Sequence, residues 1–320
     1  MKRLLLVAMC CLLGITQLYA KIFRVNNNYM VSSAYINGQQ AHDDAQPGDT
    51  LYFESSSITY TAFNISKRLV VMGLGSFLDS YEGHQLPGLP GATIALINIR
   101  NGANNTVIAG IKADIVVDGV AQLHLFRNYG RIDMTGCANA LIYHNYITRL
   151  RIDQSNFIAV TNNIIAGNIE NGSGIQDVTI HHNTINGNVF TWNSNMSNNI
   201  IVQGTANLRS SNFNNNVLTA NSYFKAGVEV TADNDNNVFN APMANIFMAT
   251  SIDDRYFQLS AISPARGAGL GGSDCGATGG ADPYVFGALQ PPIPSIYRLD
   301  VPGIVSGNSM QVIISTKTNR

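Results

Sequence analysis

From Leu141 to Phe239 the chain alternates short apolar runs with asparagine in a fixed frame. Tyr143-His144-Asn145-Tyr146-Ile147 is followed by Thr161-Asn162-Asn163-Ile164-Ile165 and His181-His182-Asn183-Thr184-Ile185. Ser197-Asn198-Asn199-Ile200-Ile201, Asn214-Asn215-Asn216-Val217-Leu218 and Asp235-Asn236-Asn237-Val238-Phe239 continue the series, which Arg127-Asn128 opens. Measured from Asn128, the steps are 17, 18, 20, 16, 17 and 21 residues. A period near 18 is too short for two helices per repeat. It predicts coils of three short β-strands joined by tight turns and stacked into a solenoid.

Asparagine has a physical role in such a coil. It tolerates the left-handed backbone region that a tight turn requires. In stacked coils each side-chain amide can also bond the amide above and below, which satisfies polar groups the turn would otherwise bury. The series predicts a ladder through Asn128, Asn145, Asn163, Asn183, Asn199, Asn216 and Asn237, with Asn163 and Asn183 facing inward. Of 37 asparagines in the chain, 24 lie between Asn139 and Asn240, a density that ordinary surface composition does not produce.

The flanking regions read as further short strands. Ile22–Val25 is a first strand. Ala41 to Phe53 reads as a brief helical turn, a Pro47-Gly48 turn and a strand, and Leu69 to Gly75 as a strand ending in glycine. Phe77 to Pro90 is an excursion marked by Pro87-Gly88 and Pro90-Gly91. Strands resume at Thr93–Ile97, Val107–Gly110, Ile115–Gly119 and Leu123–Phe126, with Gly110 and Gly119 at turn positions. Gln290-Pro291-Pro292-Ile293-Pro294 is a stiff linker, and Ile296–Val301 and Met310–Ser315 are strand-like.

On these residues the chain resembles the right-handed parallel β-helix proteins, the fold of pectate lyases and many bacterial surface proteins. The resemblance implies an all-β fold with an N-terminal cap and first coils over 21–75, regular coils over about 123–240 and a closing coil over 241–290. A linker and C-terminal β tail follow over 291–320. Ile262-Ser263-Pro264-Ala265-Arg266-Gly267-Ala268-Gly269, then Asp274-Cys275-Gly276-Ala277, resembles the closing signature of bacterial β-helix repeat proteins, departing from it at Arg266 and Cys275. With the excursion and the tail, the whole resembles secreted β-helix proteins of the Bacteroidetes type. That fold hosts enzymes, adhesins and structural proteins alike, so the resemblance implies no activity.

Charge and cysteine narrow the setting. Charged residues are 12% of the chain and the formal net charge is −1. No basic patch points to nucleic acid. Residues 1–20 read as a secretory leader, with Lys2 and Arg3, an apolar run from Leu4 to Ile15, and Leu18-Tyr19-Ala20 as the cleavage site. Met9 before Cys10 lacks the small residue of a lipoprotein signal. Removing the leader leaves 19 − 2 = 17 basic against 20 acidic residues, a net −3. The expected location is secreted, extracellular or at the cell surface. No later run is long and apolar enough to span a membrane. Cys137 and Cys275, 138 residues apart, read as small buried side chains with no metal-type spacing.

The sharpest candidate site is Arg131-Ile132-Asp133 and Arg151-Ile152-Asp153, separated by 20 residues. Stacked in register, they predict one column of arginines and one of aspartates on an outward face, with Trp192 nearby and Arg209 extending the arginines. Arg131, Arg151, Trp192 and Arg209 are the glycan-binding candidates, for an acidic polysaccharide or other cell-surface component. The same arrangement also fits a cross-strand Arg–Asp ladder worth a few tenths of a kcal/mol per pair. His144 and His182 stand two coils apart, about 10 Å, too far to share an ion. His181 alternates away from His182 toward solvent. For calcium, Asp114 with Asp118, or Asp233 with Asp235, supply oxygen ligands without distinctive spacing, and Gly172 to Asp177 is a turn. No cofactor is expected. Asp43-Asp44 and Asp253-Asp254 read as loop acids. The acid sets of polygalacturonases and pectate lyases are missing. The expectation is a non-catalytic structural, adhesive or glycan-binding module; the alternative is a lyase or hydrolase working through Arg131, Asp133, Arg151 and Asp153.

Overall fold

The computed structural model describes residues 20–29, 31–81, 90–172, 174–249, 253–287, 289–301 and 310–318. The stretch read as a leader, apart from Ala20, and the expected Pro87-Gly88 turn lie outside these residues. The fold is mostly β, with 40% strand and 7% helix, and its parallel strands stack as a β-solenoid of about nine turns. One sheet has 10 strands and a second has 14, and each coil contributes strands to both.

The period of two along each strand builds the core. Leu51, Val71, Ile108, Leu125, Ile142, Val160, Ile180, Met196 and Phe213 follow one another in register up the first sheet. All are at most 2% exposed. Ile115, Ile132, Leu150, Ile169, Val189 and Ala206 do the same on the second sheet. At the first coils, Phe53, Tyr60 and Phe63 fill the interior. The helix Gly38–Asp44 begins at Asn37, whose side chain accepts from the Gln40 amide. It packs so closely that a Cβ on Gly38 would lie 2.8–2.9 Å from the rings of Phe53 and Phe63.

The asparagines form a continuous hydrogen-bonded file. In each coil the backbone N–H and the side-chain Nδ2 of one asparagine both donate to Oδ1 of the next, as from Asn145 to Asn163 at 2.9 Å each. Nδ2 donates again to a backbone carbonyl one coil back, Leu125 for Asn145. The same pattern links Asn128, Asn145, Asn163, Asn183, Asn199, Asn216 and Asn237. The left-handed residue of the turn, however, is the one before each ladder asparagine. Arg127, His144, Asn162, His182, Asn198, Asn215 and Asn236 have φ between 52° and 58°. That conformation points the preceding side chain outward and the ladder asparagine inward.

A second corner is built from glycine. Gly167, Gly187 and Gly204 stack so that a Cβ on Gly187 would meet the Gly167 carbonyl at 2.6 Å, and one on Gly204 would meet the Gly187 oxygen at 2.1 Å. The residue after each continues a short ladder: Asn188 N–H donates to Asn168 Oδ1, and Thr205 N–H to Asn188 Oδ1.

The described residues of 241–290, a stretch expected as a closing coil, run back along the flank instead. Cys275 lies against the Asn215 carbonyl, Gly276 N–H donates to the Asn198 carbonyl, and Ala277 N–H to Thr184 Oγ1. Farther back, Asn162 reaches Ala277 and Gly279, His144 reaches Asp282, and Pro291 sits on Gly110. The physical reason is the outward residues beside the ladder. Ile164, Ile200 and Val217 would be bare without it, and here they share a buried cluster with Phe247, Phe257, Cys275 and Tyr284. Pro294–Asp300 and Ile313–Thr318 then pair as an antiparallel hairpin of their own.

Candidate functional site

The second sheet presents an open outward face, and there the expected columns are rearranged. Strand Tyr129–Thr135 pairs with Tyr146–Asp153, but the register shifts between Ile147 and Arg149. Thr148 is the extra residue of a β-bulge. Beyond it, Arg131 lies beside Arg149, Asp133 beside Arg151, and Thr135 beside Asp153. Arg131 and Arg151 therefore do not stack, nor do Asp133 and Asp153.

The bulge alternates the charges. Arg149 forks onto both oxygens of Asp133 at 3.1 and 3.0 Å. Arg131 reaches Asp133 at 3.2 Å and Asp114 at 3.5 Å. Arg151 Nε donates to Asp153 at 2.7 Å. Donating to Asp133 raises the Arg149 guanidinium above its ordinary value. Three arginines thus face three aspartates, and this part of the sheet is locally neutral. Such exposed pairs contribute little stability each.

Farther along the same face the side chains become aromatic. Arg151 is in register with Glu170, and Glu170 with Phe190. Phe190 continues through Asn207 to Phe224. Trp192 lies in register with Arg209, which stacks on its ring 5.0 Å from the centroid. Arg209 accordingly does not extend the line of Arg131. Phe190 is 43% exposed and Trp192 40%. With Asn207, Leu208, Arg209, Phe224 and Gly227 they line a shallow pocket of about 260 Å³. Among the described residues no ion pair joins Arg209 to a carboxylate. Sequence reasoning missed Phe190, Asn207 and Phe224. The alternation Val189-Phe190-Thr191-Trp192, with valine and threonine buried, carried the signal for Phe190.

The remaining candidates are placed elsewhere. His181 is half-buried, with Nδ1 3.0 Å from Nδ1 of His182, because the left-handed turn at His182 breaks the strand alternation. Asp253 and Asp254 are buried rather than in a solvated loop. Asp253 holds Arg255, and Asp254 accepts from the hydroxyls of Tyr81 and Tyr284 at 2.5 and 2.7 Å. Burial raises the Asp254 carboxyl above the usual carboxylate range. Asp118 pairs with Arg100, and Asp233 accepts from Asn237. Among the described residues no group of three or more His, Cys, Asp or Glu side chains is arranged to hold a metal ion. Cys137 and Cys275 are buried free thiols.

Comparison with protein-family models, with curated proteins and with solved structures finds no match to this chain.

Proposed function

We propose that the chain is a secreted, non-catalytic β-solenoid that binds carbohydrate at or outside the cell surface, with the helix Gly38–Asp44 as its cap. The binding surface is the distal part of the outward face. Sugar rings stack on Phe190, Trp192 and Phe224, Asn207 supplies an amide, and Arg209 takes an acidic substituent. The observation that carries this reading is the exposed aromatic group on one flat sheet face, open to a ligand and rimmed by a cation. An apolar ring face with polar groups at its edge suits a sugar, which has an apolar face and a hydroxyl rim. With its face stacked on Trp192, the Arg209 guanidinium can grip a carboxylate or sulfate with its N–H edge. Neither an acid nor an imidazole lines the pocket, and Asp133 and Asp153 are engaged by arginines. Both features favour binding over cleavage.

A glycan array tests this. Wild-type protein is expected to bind acidic glycans weakly, with binding falling as salt screens Arg209. Trp192→Ala is expected to lose it, while the Arg131→Ala/Arg151→Ala double variant keeps it. No retention by wild type, or equal retention by Trp192→Ala, would remove the proposal.

A further inference from the structure

The residues before the ladder asparagines form an outward column, and residues 265–287 are seated on it. Asn162 donates both amide protons, to the carbonyls of Ala277 and Gly279, at 2.9 and 2.8 Å. Asn198 Oδ1 accepts from Leu270 N–H at 2.9 Å. Asparagine suits this position twice over, since it tolerates the left-handed backbone and offers a donor and an acceptor. At two coils the column carries histidine instead. We propose that residues 265–287 form a releasable clasp seated on this column, and that acid opens it through His144 and His182.

The geometry at His182 is the stronger half. Its Nδ1 faces Nδ1 of His181, and its Nε2 is buried with no hydrogen-bond partner. Gly280 lies directly over the ring, where a Cβ would sit 3.1 Å from Nε2. From the clasp the backbone of Gly279 and Gly280 packs against this imidazole, and its own strand offers His181. A proton on His182 therefore adds a charge under the clasp with no acceptor for the new N–H. His144 is faced by Arg127 and Tyr143 from the solenoid and by Asp282 and Tyr284 from the clasp. Its Nε2 lies 2.9 Å from the Asp282 carbonyl and 3.6 Å from the carboxylate. The carboxylate favours a charged His144, but burial outweighs it.

The direction follows from linkage. Burial, and then His181, bring the His182 imidazole down to about 4, and burial lowers His144 as well. On release both return toward the ordinary value near 6.5. A group depressed in the clasped state leaves the clasp intact above about 6.5 and weakens it as pH falls from there toward about 4. For His182 the difference, 6.5 − about 4, is about 2.5 units, or at most about 300-fold in the clasped-to-released ratio. Partial solvent access to the ring reduces that figure. Release would bare Ile164, Ile200 and Val217 along the flank.

Two thiols report the event. Cys275 lies in the clasp with its Sγ 3.2 Å from the Asn215 carbonyl, and Cys137 lies inside the solenoid. Labelling with a dipyridyl disulfide, which reacts in acid, is resolved by peptide mass spectrometry and normalised to the unfolded chain. Between pH 7 and pH 4.5 the Cys275 rate is expected to rise at least tenfold relative to Cys137. In His144→Asn/His182→Asn the ratio stays flat, because asparagine already holds this position at 162 and 198. If that pair misfolds at pH 7, His182→Asn alone must at least halve the rise. Hydrogen exchange gives a second readout on wild-type protein, with amides 276–284 opening in acid before those of Leu141–Tyr143. A flat wild-type ratio, a joint rise of both thiols, or an unchanged rise in the variants would each overturn the clasp.

Discussion

Replacing Asn163 with alanine probes the ladder at a fully buried point. The Asn163 Oδ1 accepts from the Asn145 backbone N–H and from Asn145 Nδ2, both at 2.9 Å. Its own Nδ2 donates to the Ile142 and Thr161 carbonyls and to Asn183 Oδ1. Alanine keeps the backbone bond to Asn183 Oδ1 and loses all the others. The Asn145 amide retains the Leu125 and Tyr143 carbonyls, so the orphan that matters is the Asn145 backbone N–H. A buried unsatisfied donor costs about 1–3 kcal/mol, and the lost carbonyl partners add about 1 kcal/mol. The expected destabilisation is about 3 kcal/mol. Asn237→Ala is the matched control, because it receives the same two bonds from Asn216 at a half-buried end of the file, where water can replace them. Its cost is expected near 1 kcal/mol. Urea unfolding followed by both far-UV dichroism and Trp192 fluorescence measures the difference, provided that the two probes coincide. Destabilisation by Asn163→Ala of under about 0.5 kcal/mol, or no more than that of Asn237→Ala, would refute the assignment of a structural load to the ladder.

Two further outcomes follow from packing and burial. Gly187→Ala drives a Cβ into the Gly167 carbonyl and is expected to cost about 3 kcal/mol, whereas Gly119→Ala, with φ +65 and nothing within 4 Å, costs about 1 kcal/mol; equal unfolding midpoints would contradict the glycine corner. Burial pushes Tyr60, Tyr146 and Tyr223 up to about 12, and raises Tyr81 and Tyr284 well above the ordinary phenol value too. A phenol raised in the folded state contributes stability that is complete below about 10 and lost as pH rises beyond it. Absorbance at 295 nm should therefore show these tyrosines ionising only together with unfolding, and smooth titration of every tyrosine near 10 in folded protein would contradict their burial.

Much of the fold was legible because a solenoid repeats its physics once per coil. The ladder frame located the turns, and the alternation within each strand separated buried from outward residues. The failure at Arg131 and Arg151 is instructive, because the two Arg-Ile-Asp copies are 20 residues apart while their ladder asparagines are 17 apart. Counted from Asn128 and Asn145, Arg131 is at the third place, Arg149 at the fourth and Arg151 at the sixth. The one-residue bulge at Thr148 accounts for the pairing of Arg131 with Arg149. The clasp was not legible at all. Its contacts are backbone groups meeting asparagine and histidine side chains more than 70 residues away, and no local periodicity encodes such a pairing. For the same reason Asp254 read as a loop acid, since nothing near it in sequence says that the Tyr81 and Tyr284 hydroxyls will meet it.

Trp192 is the sole tryptophan in the chain and lies in the proposed binding pocket, so its fluorescence tests the central claim directly. Titration with acidic oligosaccharides at low salt is predicted to give a saturable change in Trp192 emission. The change should shrink in Arg209→Ala and at physiological ionic strength, and no new reducing ends or unsaturated products should appear. Emission that stays constant across acidic and neutral oligosaccharides would contradict carbohydrate binding at this face, and accumulating cleavage products would contradict the non-catalytic reading.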